Sequence, residues 1–266
     1  MSVDGDVVHA TLNRRTVLNA IDPGLVDGLA AAVDIARMAE AKLLVLRGAG
    51  GTFCAGADLS YVRSLVDDES RLTAFMARIG DVLLDLERAP FTVLAIIEGH
   101  AVAGGFELLL ACDVVLASDD ARIGDHHAVW GLAPAAGSSV RLERGVPRAI
   151  AHHLLLGGGL LDGAAAARHG LVTRAVPVAQ LDRAAAALIT ELASPSRDAI
   201  AVTKAMLHAA RTGAYEEALA AEREAFAHLA ARSPDLREGL TAFAEKRRPE
   251  FSRTAASSHT RLQEET

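Results

Sequence analysis

Three apolar runs constrain this chain most: Lys42-Leu43-Leu44-Val45-Leu46-Arg47, Phe91-Thr92-Val93-Leu94-Ala95-Ile96-Ile97 and Asp113-Val114-Val115-Leu116-Ala117. Each is short and almost continuously apolar, the pattern of a strand covered on both faces. Helical patterns separate them. A long one covers about 69–88, and Gly104-Gly105 opens a short apolar one that runs to about Cys112. Buried strands alternating with helices predict an α/β core with parallel pairing. Upstream, Val7–Leu12 reads as another strand. Asp22-Pro23 reads as an N-cap followed by proline at the first helical position, with Leu25, Leu29 and Val33 at helical spacing after it. Aromatics are only 4% of a chain that is 51% apolar, so Ala, Leu and Val must fill the core.

The pattern changes at Ser194-Pro195-Ser196, beyond which nothing reads as strand. Residues 1–195 are therefore read as the core, 196–251 as a helical region and 252–266, which are polar, as a loose tail. The apolar runs are too short to span a bilayer, and MSVDGDVVHA has neither the basic nor the apolar part of a signal peptide. Two cysteines, Cys54 and Cys112, make no disulfide framework, so a reduced cytoplasm is expected. A net charge of −7 argues against a nucleic-acid surface. No His/Cys/Asp spacing matches a zinc site, and His152-His153 reads as structural.

The chemistry lies in two glycine turns, each after a strand: Phe53-Cys54-Ala55-Gly56-Ala57-Asp58-Leu59 and Gly99-His100-Ala101-Val102-Ala103-Gly104-Gly105-Phe106-Glu107. Glycine lets backbone come close to a ligand, and a helix beginning at Gly104 adds the positive end of its dipole. Two convergent N–H donors suit an oxygen that gains negative charge during reaction, as a thioester carbonyl does when it becomes an enolate. Gly48-Ala49-Gly50-Gly51 lacks both the third glycine of a dinucleotide fingerprint and a P-loop lysine, and is read as a turn. Cys54 is read as a packing residue.

Together these turns resemble the enoyl-CoA hydratase/isomerase (crotonase) superfamily. The resemblance extends over Leu12-Asn13-Arg14 … Leu18-Asn19-Ala20, Trp130-Gly131-Leu132-Ala133-Pro134 … Gly137 … Arg141-Leu142, Ala165-Ala166 … Gly170-Leu171-Val172 and Phe243-Ala244-Glu245-Lys246-Arg247. It implies a spiral of repeated ββα units with a helical C-terminal region that forms a homotrimer or a dimer of trimers. It implies oxyanion-hole N–H groups at Ala57 and Gly104. Ala55, Asp58 and Leu59 would lie along CoA, with Phe243 and Lys246 near its nucleotide end, supplied by the same or a neighbouring subunit. The substrate would be an acyl-CoA thioester, with an acyl-carrier-protein thioester as a second possibility. No cofactor is expected beyond the CoA of the substrate itself, and no nucleic-acid or membrane partner.

Family hydratases present two glutamates. Glu107 fills the first position, while a gapless count places His127 at the second. Histidine keeps a proton-transfer group with a different geometry and charge. Glu107 is expected to shuttle the proton, with His127 assisting or orienting water. The family's dehalogenases and dienoyl isomerases carry a further aspartate where this chain has Ala135, which disfavours both reactions. Three readings follow: a hydratase-like lyase, a double-bond isomerase with Glu107 as sole proton shuttle, or an acyl-CoA-binding protein without catalysis. Tyr61, Val62, Leu65 and Trp130 are candidate liners of the acyl pocket.

Overall fold

The computed structural model describes residues 1–251; the expected loose tail, 252–266, lies outside the described residues. Nine strands and eleven helices follow one another in them. The strands are β1 (Ser2–Asp4), β2 (Val7–Leu12), β3 (Leu43–Gly48), β4 (Thr92–Ile97), β5 (His100–Val102), β6 (Val114–Ser118), β7 (Arg122–Gly124), β8 (Leu161–Asp162) and β9 (Arg174–Val176). The helices are α1 (Pro23–Met38), α2 (Leu59–Leu65), α3 (Glu69–Arg88), α4 (Gly104–Leu110), α5 (Ser138–Gly145), α6 (Arg148–Gly157), α7 (Gly163–Arg168), α8 (Leu181–Ala193), α9 (Arg197–Thr212), α10 (Tyr215–Arg232) and α11 (Pro234–Glu245).

The main sheet has the order β1-β2-β3-β4-β6-β9, parallel throughout except for β1 against β2. Its unbroken apolar runs have a direct cause. Successive side chains point to opposite faces, and both faces are covered. Leu44 and Leu46 of β3, with Val93, Ala95 and Ile97 of β4, join a large core that also holds the apolar stripes of α1 and α3. The residues between them, Leu43, Val45, Leu94 and Ile96, join a second core with Leu181, Ala185 and Leu188 of α8. Asp22 caps α1 as the sequence suggests, accepting from Leu25 N–H at 2.9 Å.

A second sheet, β5-β7-β8, was not legible in the pattern because its strands have only two or three residues each. It turns the segment read as one glycine loop into a strand followed by a tight turn. The helical region carries α9 to α11, with Ser196 capping α9 at Ala199 N–H. Lys204 fastens α9 to the core. Its ammonium is buried and donates to the carbonyls of Leu86 (2.8 Å) and Phe91 (3.0 Å) and to Asp113 Oδ2 (2.6 Å). Among the described residues no helix is long and apolar enough to cross a membrane.

Candidate active site

The first glycine turn is held by the chain's N-terminal segment. Residues 18–21 run beside 55–58: Ala55 N–H donates to Leu18 O (3.0 Å), Ile21 N–H to Gly56 O (2.7 Å) and Asp58 N–H to Ile21 O (2.8 Å). Asn19 is fully buried, and its amide bonds the carbonyls of Ala49 and Thr52. Gly50 and Gly51, at φ +79° and +72°, make the turn expected there. Arg14 reaches Asp58 at 3.0 Å and Asp22 at 3.2 Å, tying together the N-caps of α1 and α2. Asp58 itself accepts from Ser60 and Tyr61 N–H. Burial pushes its carboxyl up, but Arg14 and these two N–H groups outweigh that and hold it below its ordinary value. Asp58 thus has a structural task beside the one the resemblance implies.

The second turn docks on the first. Cys54 N–H donates to His100 O (2.8 Å), and Val102 N–H to Cys54 O (3.1 Å). Ala103 then takes φ +50°, ψ −120°, a left-sided conformation that costs an L-residue about 1–3 kcal/mol. It redirects the chain so that α4 starts against Ala57: a Cβ on Gly104 would stand 3.3 Å from Ala57 N. Gly56, at φ +103°, packs so closely that its own Cβ would meet Ala103 Cβ at 3.0 Å and Gly104 N at 3.4 Å. Neither Ala57 N–H nor Gly104 N–H is spent on a backbone carbonyl among the described residues. Two free donors therefore stand side by side at a helix N-terminus. Cys54 beneath them is fully buried, and burial pushes its thiol up to about 12, so it is no thiolate nucleophile.

A cavity of about 150 Å³ opens at these donors. Ala55, Ala57, Leu59, Gly104, Glu107, His127, Val62 and Trp130, all singled out in the sequence, line it together. Met76 and Ile79 of α3, which it did not suggest, form part of its apolar wall. Tyr61 and Leu65 do not line it: Tyr61 packs edge-on against Phe75 (4.9 Å between centroids), and Leu65 is buried in the core. Phe243 and Lys246 stand exposed at the end of α11, outside the cavity.

Glu107, one turn into α4, is buried. Its Oε1 accepts from Ala136 N–H (2.8 Å) and Ser138 N–H (3.2 Å), and its other oxygen carries no hydrogen bond from the described residues. Arg141 secures that support, donating to Ala136 O (2.5 Å) while gripping Glu87 through two nitrogens. Burial raises the Glu107 carboxyl above its ordinary value, opposed by the Ser138 bond, the charge of His127 and the Ala136 bond.

His127 begins a 3-10 turn (His127–Trp130) and is buried against Asp125. Its Nδ1 lies 3.0 Å from Asp125 Oδ1, and Asp125 is fully buried. Burial lowers the imidazole, but the bond and charge of Asp125 and the charge of Glu107 outweigh it and raise His127 above its ordinary value. Burial likewise pushes Asp125 up, while its bonds from His127 and Ser138 bring it below its ordinary value. His126 also lines the cavity, but its Nδ1 is engaged by Gly158 O at 2.7 Å. Asp125 stood two residues from a histidine already singled out, a spacing that could have marked it; Ser138 had no signal.

The two-sheet α/β core and its helical C-terminal region form a crotonase-type fold. The chain belongs to the enoyl-CoA hydratase/isomerase family, whose model matches residues 3–254. A protein of Mycobacterium bovis described as a probable enoyl-CoA hydratase is 34% identical over 243 residues, covering 91% of this chain and 93% of that one. The mitochondrial enoyl-CoA hydratase of Pongo abelii is 32% identical over 90% of this chain and 81% of its own. Among solved structures, an enoyl-CoA hydratase from Mycobacterium smegmatis is 32% identical with a TM-score of 0.88, over 94% of this chain and 96% of that one. One from Polaromonas reaches a TM-score of 0.89 at 28% identity, over 94% and 98%. The protein is an enzyme of this family.

Proposed function

We propose that the protein hydrates a 2-enoyl-CoA thioester, with the thioester oxygen held by Ala57 and Gly104 N–H and protons moved by Glu107 and His127. The observation that carries this reading is the placement of both groups on one small apolar cavity beside two free N–H donors. Water would add to C3 as Glu107 takes its proton. The C2=C3 electron pair moves into the carbonyl, and the resulting enolate oxygen rests between the two donors. C2 then takes a proton from His127 Nε2, and the carbonyl re-forms. The product is the 3-hydroxyacyl-CoA, and the proton on Glu107 returns to His127 before the next cycle.

Opposed environments support these roles. An imidazole raised by Asp125 is a competent proton donor, and a carboxylate with one oxygen pinned and the other unbonded is a competent base. Val62, Met76 and Ile79 supply an apolar wall for the acyl chain. The core, 1–195, would carry this site, with 196–251 serving assembly into trimers. The nucleotide end of CoA would reach Phe243 and Lys246 of the same or an adjoining subunit.

The test is turnover of crotonyl-CoA and of a 3-enoyl-CoA, followed by absorbance of the conjugated thioester. Hydration removes conjugation from the first. Gain of conjugation from the second, without hydration of the first, would make the enzyme an isomerase instead. Binding of both without turnover would refute the catalytic roles.

A further inference from the structure

Ser138 is the first residue of α5 and is fully buried. Among the described residues it is the one that donates to both halves of the proposed proton machinery. Its N–H reaches Glu107 Oε1 at 3.2 Å, and its hydroxyl donates to Asp125 Oδ2. The other oxygen of Asp125 receives His127 Nδ1 at 3.0 Å and His127 N–H at 3.3 Å. Every oxygen of this buried carboxylate is thus assigned, and neither Asp125 nor Ser138 lines the cavity. They cannot touch a substrate there.

We propose that Asp125 and Ser138 are positioning residues that bind the two proton carriers into one unit. Asp125 fixes His127 with Nδ1 inward, so that Nε2 is the nitrogen that exchanges protons in the cavity. Ser138 fixes Asp125 through its hydroxyl and Glu107 through its amide. Aspartate alone would not do this. A carboxylate buried without a donor on Oδ2 is costly and free to turn, and the imidazole would turn with it. The inference rests on the proposed roles of Glu107 and His127.

Two variants separate it from those roles. Asp125→Asn keeps the volume and removes the charge; Ser138→Ala removes the hydroxyl and keeps the amide bond to Glu107. Partners that orient metal-binding histidines are worth about 10–100-fold, and on the same scale each variant should lower kcat on crotonyl-CoA by at least about tenfold, with KM nearly unchanged. The charged groups acting on His127 are Asp125, from the adjoining segment, and Glu107, from α4. Asp125→Asn should therefore move the alkaline limb of the kcat/KM profile to lower pH. The double variant should be no worse than the poorer single one. Ser138→Thr, which restores a hydroxyl, should restore kcat.

A readout independent of turnover is the 15N spectrum of the histidines. In the parent protein His127 keeps its proton on Nδ1 when neutral, and in Asp125→Asn it titrates at lower pH. Should Ser138→Ala not fold, Asp125→Asn carries both readouts. An unmoved alkaline limb and an unmoved His127 titration in Asp125→Asn, or a parent kcat in folded Ser138→Ala, would overturn the proposal. Failure of the underlying roles looks different: His127→Ala would then keep the parent kcat.

Discussion

Gly104 and Gly105 are neighbours with opposite consequences for the same substitution. Gly104 does not have positive φ, so alanine is allowed there by backbone, and in a first helical turn it gains up to about 1 kcal/mol over glycine. Its Cβ would meet Ile21 Cδ1 at 3.2 Å, a terminal methyl that can yield, and would stand 3.3 Å from Ala57 N. That second contact is the damaging one. A ligand oxygen needs to approach this N–H to about 2.9 Å, and the new methyl crowds the same donor. Loss of one such donor costs about 2.7–4 kcal/mol in the barrier, or about 10²–10³ in kcat. Gly104→Ala should therefore lose about that much activity on crotonyl-CoA, while its Tm stays within about 4 °C of the parent, the shift that 1 kcal/mol produces in a chain of this size. At Gly105 the Cβ would lie 2.2 Å from Cys54 O and 2.8 Å from Cys54 Cβ, an overlap with backbone. Gly105→Ala should destabilise the fold by about 3 kcal/mol or more. Thermal unfolding and steady-state kinetics on the two variants decide the matter. If Gly104→Ala is folded and keeps its kcat within about threefold, the assignment of that N–H to the oxyanion is wrong.

Other substitutions test the remaining parts. Glu107→Gln should lower kcat by about 10²–10⁴ yet raise Tm at neutral pH. Burial raises this carboxyl, so the folded state bears a penalty for ionisation that sets in above the ordinary value of 4.5, and the gain should vanish as the pH falls below it. Asp125 has the opposite sign. It is held below 3.8, so its contribution is present above that value and lost as pH falls through the depressed one. Asp125→Asn should therefore cost stability at neutral pH, and the difference, read by denaturant unfolding, should shrink in acid. Lys204→Met would leave Asp113 and two carbonyls without their ammonium. A loss of about 3 kcal/mol is expected, partly recovered by adding Asp113→Asn.

How much of this was legible in the sequence follows from what each element depends on. β3, β4 and β6 declared themselves because both faces of the sheet are covered, which leaves the runs apolar throughout. α3 begins and ends where its helical pattern does. β5, β7 and β8 are held by pairing with one another and could not show a period in so few residues. In the site, Ala57, Gly104 and Glu107 sit in turns whose glycines are needed for close approach, so local sequence carries them. His127 was found by counting from Glu107. Its partners Asp125 and Ser138 act through side chains brought together by α5, across a loop with no periodic pattern. Tyr61 and Leu65 were expected in the acyl pocket by position, but α2 turns them towards Phe75 and the core, and the cavity is lined instead by Val62 and by Met76 and Ile79 of α3.

The most direct measurement is a crystal structure of the enzyme with an unreactive acyl-CoA. The thioester oxygen should lie about 3 Å from both Ala57 N and Gly104 N, with C2 and C3 between Glu107 and His127 and the acyl chain against Val62, Met76 and Ile79. A thioester bound with its oxygen away from that pair, or facing water, would contradict it.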